Sequence, residues 1–327
     1  MRGLPQTTHT LFGVPPLRQA RAIRISLAIR DDLLIPGRVG TVAGVHRSAI
    51  NVRRGTRIVT IAHEAFGGLP NGLSVGTQLP LDRLGIRSGM AVYAHGSALS
   101  VPAASLLITI SAAAGWSPTM PVWRVSPADR RWARAAIALK MAAPTAPRLG
   151  LGPLLGGLAG GAGAPTGELL RTACVAMADL IAALQAGPAE MAVRRAAPLV
   201  GLGPGATPSG DDLLVGLSAG LSATGHRLAR PFARGVAFSA TGRTTSLAES
   251  FLWHAGRGEF AERVQRTTAA LLTGDAAAMQ AGVHHALAWG ASSGADLLVG
   301  LLIGIRADDP ELPARLRAAG DGAAAAA

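Results

Sequence analysis

The densest chemistry in the chain lies in two related nine-residue segments. Ser209-Gly210-Asp211-Asp212-Leu213-Leu214-Val215-Gly216-Leu217 returns 84 positions later (293 − 209) as Ser293-Gly294-Ala295-Asp296-Leu297-Leu298-Val299-Gly300-Leu301, changed only at Asp211 against Ala295. A hydroxyl and a carboxylate three residues apart, ahead of an apolar run, make a capping box that satisfies the orphan N–H groups of a helix start. Gly216 with Gly220, and Gly300 with Gly304, then form stripes that let two helices approach backbone to backbone. Capping and packing account for Ser209, Asp212, Ser293, Asp296 and the stripe glycines.

Three features go beyond that account. The first copy follows Gly201-Leu202-Gly203-Pro204-Gly205-Ala206-Thr207-Pro208, and glycines that free backbone N–H groups before a helix start build an anion cradle. Asp211 is a carboxylate that no cap requires. Helical spacing also puts Asp212 on one stripe with Gly216 and Gly220, and Asp296 on another with Gly300 and Gly304. Parallel packing of the stripes would therefore bring two carboxylates together. At about 5 Å they repel by roughly 3 kcal/mol at an effective dielectric near 20, while each helix dipole returns only about 0.3–1 kcal/mol. Donors, an arginine, a cation or a proton must supply the rest, which is the profile of a working site.

Asp211, Asp212 and Asp296 are thus the candidate catalytic residues, with a divalent cation at the three as a candidate cofactor. Gly203, Gly205, Thr207, Ser209, Gly210, Ser292, Ser293 and Gly294 are candidate ligands for a phosphate or other anion. Between the copies, Thr241-Gly242-Arg243-Thr244-Thr245-Ser246 offers Arg243, a planar fork suited to carboxylate or phosphate, with Thr244 beside it. Ser246 and Glu249 read as a further capping box. His284 and His285 are adjacent and point to different faces, and His46, His63 and His95 lie in strand-rich sequence without metal-ligand spacing.

The elements that position these residues change character along the chain. Ile23, Ile25, Leu27 and Ile29 alternate with Arg24, Ser26 and Ala28, a half-buried strand. Short β-rich runs follow at 39–45, 50–52, 57–62, 73–75, 90–94 and 106–110, separated by turn residues such as Pro70-Asn71-Gly72. After Pro127 helical spacing takes over, with helices expected at 211–222, 246–254, 260–272, 276–289 and 295–305. Another is capped by Thr166 and stopped by Gly187-Pro188, and Asp275 caps the helix at 276. The fold class is α+β: an antiparallel β barrel or sandwich over 1–127, a helical domain over 128–306 with two paired glycine-stripe helices, and a disordered tail over 307–327. Residues 149–165 read as a loop.

Composition narrows the function. Of 327 residues, 49% are hydrophobic and only 4% aromatic, so the core is built from Ala, Leu, Val and Ile. The net charge of +12 is carried almost wholly by scattered arginines with no aromatic platform among them, which argues against a nucleic-acid partner. Cys174 sits in an apolar helical pattern as a small buried hydrophobe. The first sixteen residues lack a continuous apolar core, and no apolar run reads as a membrane span. A cytoplasmic location and no membrane partner are the expectations.

The run from Gly201 to Asp212, G-L-G-P-G-A-T-P-S-G-D-D, resembles the signature of the family of AllH-type oxamate carbamoyltransferase subunits. Asn51-Val52, Asn71-Gly72, the Thr241–Ser246 segment and Gly290-Ala291-Ser292-Ser293-Gly294 extend the likeness. Ala206 stands where that family has Leu, and Ala291 and Ser292 stand where a polar residue, often His, and Thr are expected. The resemblance implies carbamoyl transfer between carbamoyl phosphate and oxamate, giving oxalurate and phosphate in allantoin degradation. It also implies a small anionic substrate and further subunits, one like an acyl-CoA synthetase. A different class of function, a non-catalytic assembly or sensor protein that binds a small anion, fits the same loop.

Overall fold

The computed structural model describes residues 18–125, 127–160 and 167–321. β1 (Arg18–Ser26) buries Ala20, Ala22, Ile25 and Ser26. A register shift between Ala22 and Arg24 leaves Ile23 exposed, as is Leu27 past the strand end, against the expected alternation. A single helical turn, α1 (Arg30–Leu33), follows. Then come β2 (Gly37–Val45), β3 (Ala49–Arg54), β4 (Arg57–His63), β5 (Gly72–Gly76), β6 (Ala91–Ala94), β7 (Ala98–Val101), β8 (Leu106–Thr109) and β9 (Ala114–Trp116). The sheet runs β5-β4-β3-β2-β6-β7-β8-β1-β9, and a β5–β1 pairing closes the first eight strands into a barrel. Closure removes the sheet edges. Ala22, Ile25, Val42, Ile50, Leu73, Val92, Leu99 and Ile108 fill the interior.

The barrel is mixed, not antiparallel as expected. β1 runs parallel to β8 and β9, and β4 runs parallel to β5. The 3-10 turn and loop between β4 and β5 allow that one crossover without a long helix. Strands β7 and β9 were not legible as separate runs, being three or four residues long.

The helical region starts with α2 (Ala128–Ala142), α3 (Pro153–Leu158), α4 (Glu168–Ala186) and α5 (Ala189–Ala196). It continues through α6 (Ser209–Thr224), α7 (Ala229–Ser239), α8 (Ser246–Gly256) and α9 (Glu262–Thr273). It ends with α10 (Ala276–Leu287), α11 (Ser293–Ile305) and α12 (Leu312–Asp321). Two expectations are corrected. The glycine-rich stretch expected as a loop contains α3, started by Pro153 at its first position and anchored by buried Leu154 and Leu155. The tail expected to be disordered forms α12, with Leu312 and Leu316 buried and Gly320 against Cys174. Thr166, the expected cap of α4, lies outside the described residues.

α4 is long and apolar enough to cross a membrane by length and composition. Here Leu180, Ile181 and Leu184 are fully buried in the helical core. Burial pushes the Cys174 thiol up to about 11, so it packs as an inert hydrophobe.

α6 and α11 are the axis of the helical region. A Cβ on Gly216 would lie 2.0 Å from the Leu297 carbonyl oxygen, and one on Gly300 2.0 Å from that of Leu213. Gly220 and Gly304 meet in the same way one turn on. The residue order on both sides runs in the same direction, so the helices are parallel, related by a local two-fold, and their N-termini lie side by side.

Candidate functional site

The barrel docks beside the α6 and α11 N-termini. Glu262 at the start of α9 pairs with Arg24 of β1, accepts from the Gly68 amide at 2.8 Å and pairs with Arg266. Ser250 of α8 donates to the Ile58 carbonyl of β4 at 3.2 Å. Between the two units remains a cavity of about 410 Å³. The β2–β3 turn supplies His46, Arg47 and Ser48 to its wall, and the barrel adds Asn51 and Thr60. Thr207, Asp212 and Ser293 come from the two helix starts. Phe66, Phe251, Phe260 and Trp289 make the apolar wall, the usual lining of a small-ligand site with a few convergent polar groups.

Asp212 is the carboxylate at that wall. It is 8% exposed, and its Oδ2 has no hydrogen-bond partner. Burial raises its pKa well above the carboxylate range, and the nearby charges of Asp296 and Asp211 add to this, while the Thr207 and Ser293 hydroxyls oppose it. Those two hydroxyls are 3.0 Å apart and hydrogen-bonded to each other.

Asp296 is wholly buried and faces away from the cavity. Its Oδ1 accepts the Leu151 N–H at 2.6 Å, with the Ser209 and Ser292 hydroxyls beside it. Burial raises its pKa too. Gly150, at φ +58°, presses on it: a Cβ there would lie 2.5 Å from Asp296 Oδ1. The carboxylates thus lie across the helix pair, Asp212 beside Ser293 and Asp296 beside Ser209. The expected capping boxes do not form. Pro208 and Ser292 take the cap positions, and neither helix start has a side-chain cap bond.

Asp211 is separated from this pair by its place one residue round the helix. Its Oδ1 accepts from the Gly201 amide at 3.1 Å and its Oδ2 from the Thr244 hydroxyl at 2.5 Å. It pins the loop before α6 to the segment before α8, and Thr244 is spent on the same bond. Its pKa is raised by burial, against those two bonds and the charge of Arg243. Three carboxylates facing one point, as a divalent cation would need, are not assembled. Among the described residues no group of three or more His, Cys, Asp or Glu side chains is so arranged, and the proposed cation does not fit.

Arg243 also points elsewhere. Its guanidinium donates to the Ser239 carbonyl at 3.3 Å and the Ala197 carbonyl at 3.0 Å, closing the ends of two helical segments. The arginine at the cavity is Arg47, which carried no motif. Ser246 is displaced as a cap by Thr245, whose hydroxyl accepts from the Ala248 amide at 3.1 Å. Glu249 reaches back to the Gly242 amide at 2.5 Å. The Asp275 cap forms as expected, at 2.8 Å from the Ala278 amide.

The glycine-rich loop supplies donors. Gly203 and Gly205 have φ of +100° and +106°, a conformation that favours glycine. Among the described residues nothing accepts from the amides of Gly203, Gly205, Ala206 or Thr207, and Ala206 and Thr207 reach the cavity. Gly210 and Gly294 serve packing: a Cβ on either would lie within 2.0 Å of a carbonyl oxygen, of Leu199 or Ala286.

Among the wall residues, Thr60 and Glu259 had no sequence motif, and Asn51 entered only through the family resemblance. Asn51, Thr60 and Asn71 form a buried chain in which Thr60 donates to Asn51 and Asn71 donates to Thr60, both at 3.1 Å. Glu259 holds buried His254 at 2.7 Å and Arg257 at 3.0 Å. Burial raises the Glu259 pKa, but these partners bring it below its ordinary value, while burial lowers that of His254. One signal was available: the wall takes three of the chain's six phenylalanines.

A closed barrel set against a helical base, with a cavity between them at paired helix starts, defines an α+β protein. Residues 199–305 match the family of the oxamate carbamoyltransferase subunit AllH, and residues 21–115 match the AllH family N-terminal domain. The chain belongs to the AllH family. Being a subunit of a carbamoyltransferase implies other subunits. Neither a curated protein nor a solved structure gives a match.

Proposed function

We propose that this chain holds the small anionic substrate of an oxamate carbamoyltransferase in the cavity between barrel and helices. The observation that carries the reading is the meeting of unengaged loop amides, two hydroxyls and Arg47 at one cavity beside two parallel helix N-termini. Amides at a helix start favour negative charge, and a guanidinium at the mouth draws anions in. The reaction is carbamoyl transfer from carbamoyl phosphate to the oxamate nitrogen. The new C–N bond forms as the carbon–oxygen bond to phosphate breaks, and the proton lost by nitrogen leaves with phosphate. Completing it takes the other subunits, one of them resembling an acyl-CoA synthetase.

Calorimetric titration of the chain with oxamate and with carbamoyl phosphate tests this. Arg47→Ala should weaken binding about tenfold, the equivalent of roughly 1.4 kcal/mol, and Arg243→Ala should leave it unchanged. Equal losses in both variants would move the anion away from the cavity mouth. Binding without oxalurate phosphorolysis in the assembled complex would make the chain a non-catalytic anion-binding subunit.

A further inference from the structure

The local two-fold of α6 and α11 makes Asp212 and Asp296 equivalent, yet the spaces before them are filled differently. Before Asp296 the chain supplies its own occupant. The loop at Gly150 passes so close that no side chain fits, and the next residue, Leu151, delivers its N–H to the carboxylate at 2.6 Å. Before Asp212 there is no loop. There is the cavity, whose wall Asp212 joins at 8% exposure, while both carboxyls keep an unpartnered Oδ2. What differs between the two is the occupant, a backbone amide before Asp296 and an open cavity before Asp212. The internal contact at Asp296 shows what this carboxyl geometry accepts: the N–H of an amide.

We propose that Asp212 is a specificity-determining residue that accepts the N–H of an unsubstituted amide carried by the anion in the cavity. The inference rests on the anion site proposed above and adds which end of the ligand lies where. The charged end meets the loop amides and hydroxyls, and the amide end meets Asp212. A ligand with negative oxygens at both ends would set one of them against the carboxyl, which favours it less than a donor. The other carboxylate in the wall, Glu259, is held by His254 and Arg257 and does not compete for the amide.

Oxalate and oxamate have nearly the same size and differ by one oxygen in place of one NH₂, so they read this contact directly. The wild-type chain should bind oxamate at least about tenfold more tightly than oxalate or N,N-dimethyloxamate, because a site built around an N–H rejects analogues that lack it. Asp212→Ala should bring the oxamate-to-oxalate ratio to within about threefold while both still bind. A ratio unchanged in Asp212→Ala, or three wild-type affinities that agree, would overturn the role of Asp212 and leave the anion site standing. Failure of all three ligands and of carbamoyl phosphate to bind would remove the anion site itself, and this role with it. The wild-type ligand series stands without the variant, so a failure of Asp212→Ala to fold does not decide the matter.

Discussion

The start of α6 and the start of α11 are built from nearly the same residues and end in different surroundings. Their glycine stripes keep the same contact on both sides of the two-fold, with Gly216 at the Leu297 carbonyl and Gly300 at that of Leu213. Their carboxylates do not. Both leave Oδ2 unpartnered, but Asp296 is sealed under the Gly150 loop with a backbone N–H on its Oδ1, whereas Asp212 lies at a cavity. Duplication of a helix start fixes the packing in both copies. What stands before each carboxyl is decided by distant segments, the loop at Gly150 for one and the barrel for the other.

If packing is the shared half of that comparison, the largest effects should be symmetric. Gly216→Ala and Gly300→Ala each push a methyl to 2.0 Å from a backbone oxygen of the opposite helix. Neither helix can yield without parting the core, so each should lose at least about 3 kcal/mol, at the upper end of overpacking costs. Denaturant melts of both variants check this. A tolerated alanine at one position and not the other would break the two-fold.

The next effect should be asymmetric. Asp296→Ala strands the buried Leu151 N–H, which costs about 1–3 kcal/mol. Asp212→Ala strands no backbone donor, and the Thr207 and Ser293 hydroxyls keep each other, 3.0 Å apart. Its melting free energy should fall by less than that of Asp296→Ala, by no more than about 1 kcal/mol for the side-chain hydrogen bonding it removes. Similar losses in the two variants would mean that Asp212 is a packing residue like its twin.

Much of this was legible from sequence. The repeat and its four-residue glycine spacing led to the parallel helix pair, because a helix has one period and backbone contact has one cheap solution. The strand runs led to a barrel or sandwich, but neither to the choice between them nor to the parallel pairs, since alternation reports which face is buried and not which strand lies beside it. The site was legible in part. Thr207, Asp212 and Ser293 reach the cavity, but Asp211, Arg243 and Thr244 bond within the fold. Residue type could not separate those groups, because an arginine that closes helix ends and one that meets an anion have the same chemistry. Arg47, Asn51 and Glu259 come from segments remote in sequence, and only the docking of barrel on helices brings them to one wall.

The smallest effect is a pH dependence that the two carboxyls share. Both have pKa values raised by burial from an ordinary 3.8, that of Asp212 well above it. A raised folded-state pKa means that the folded chain holds the proton more tightly than the unfolded chain. The stability it contributes is fully present below about 3.8 and is lost as pH rises through the folded value. Wild type should therefore lose melting temperature relative to Asp212→Asn as pH rises from 4, and likewise relative to Asp296→Asn, since neither amide titrates. Glu259, Glu262, His226 and His254 have lowered values and act in the opposite sense, but they are common to wild type and variants and cancel in the difference. Melting series from pH 4 to 8 on the three proteins read this directly. A wild-type curve parallel to that of either variant would mean that the carboxyl replaced in it keeps its charge in the fold.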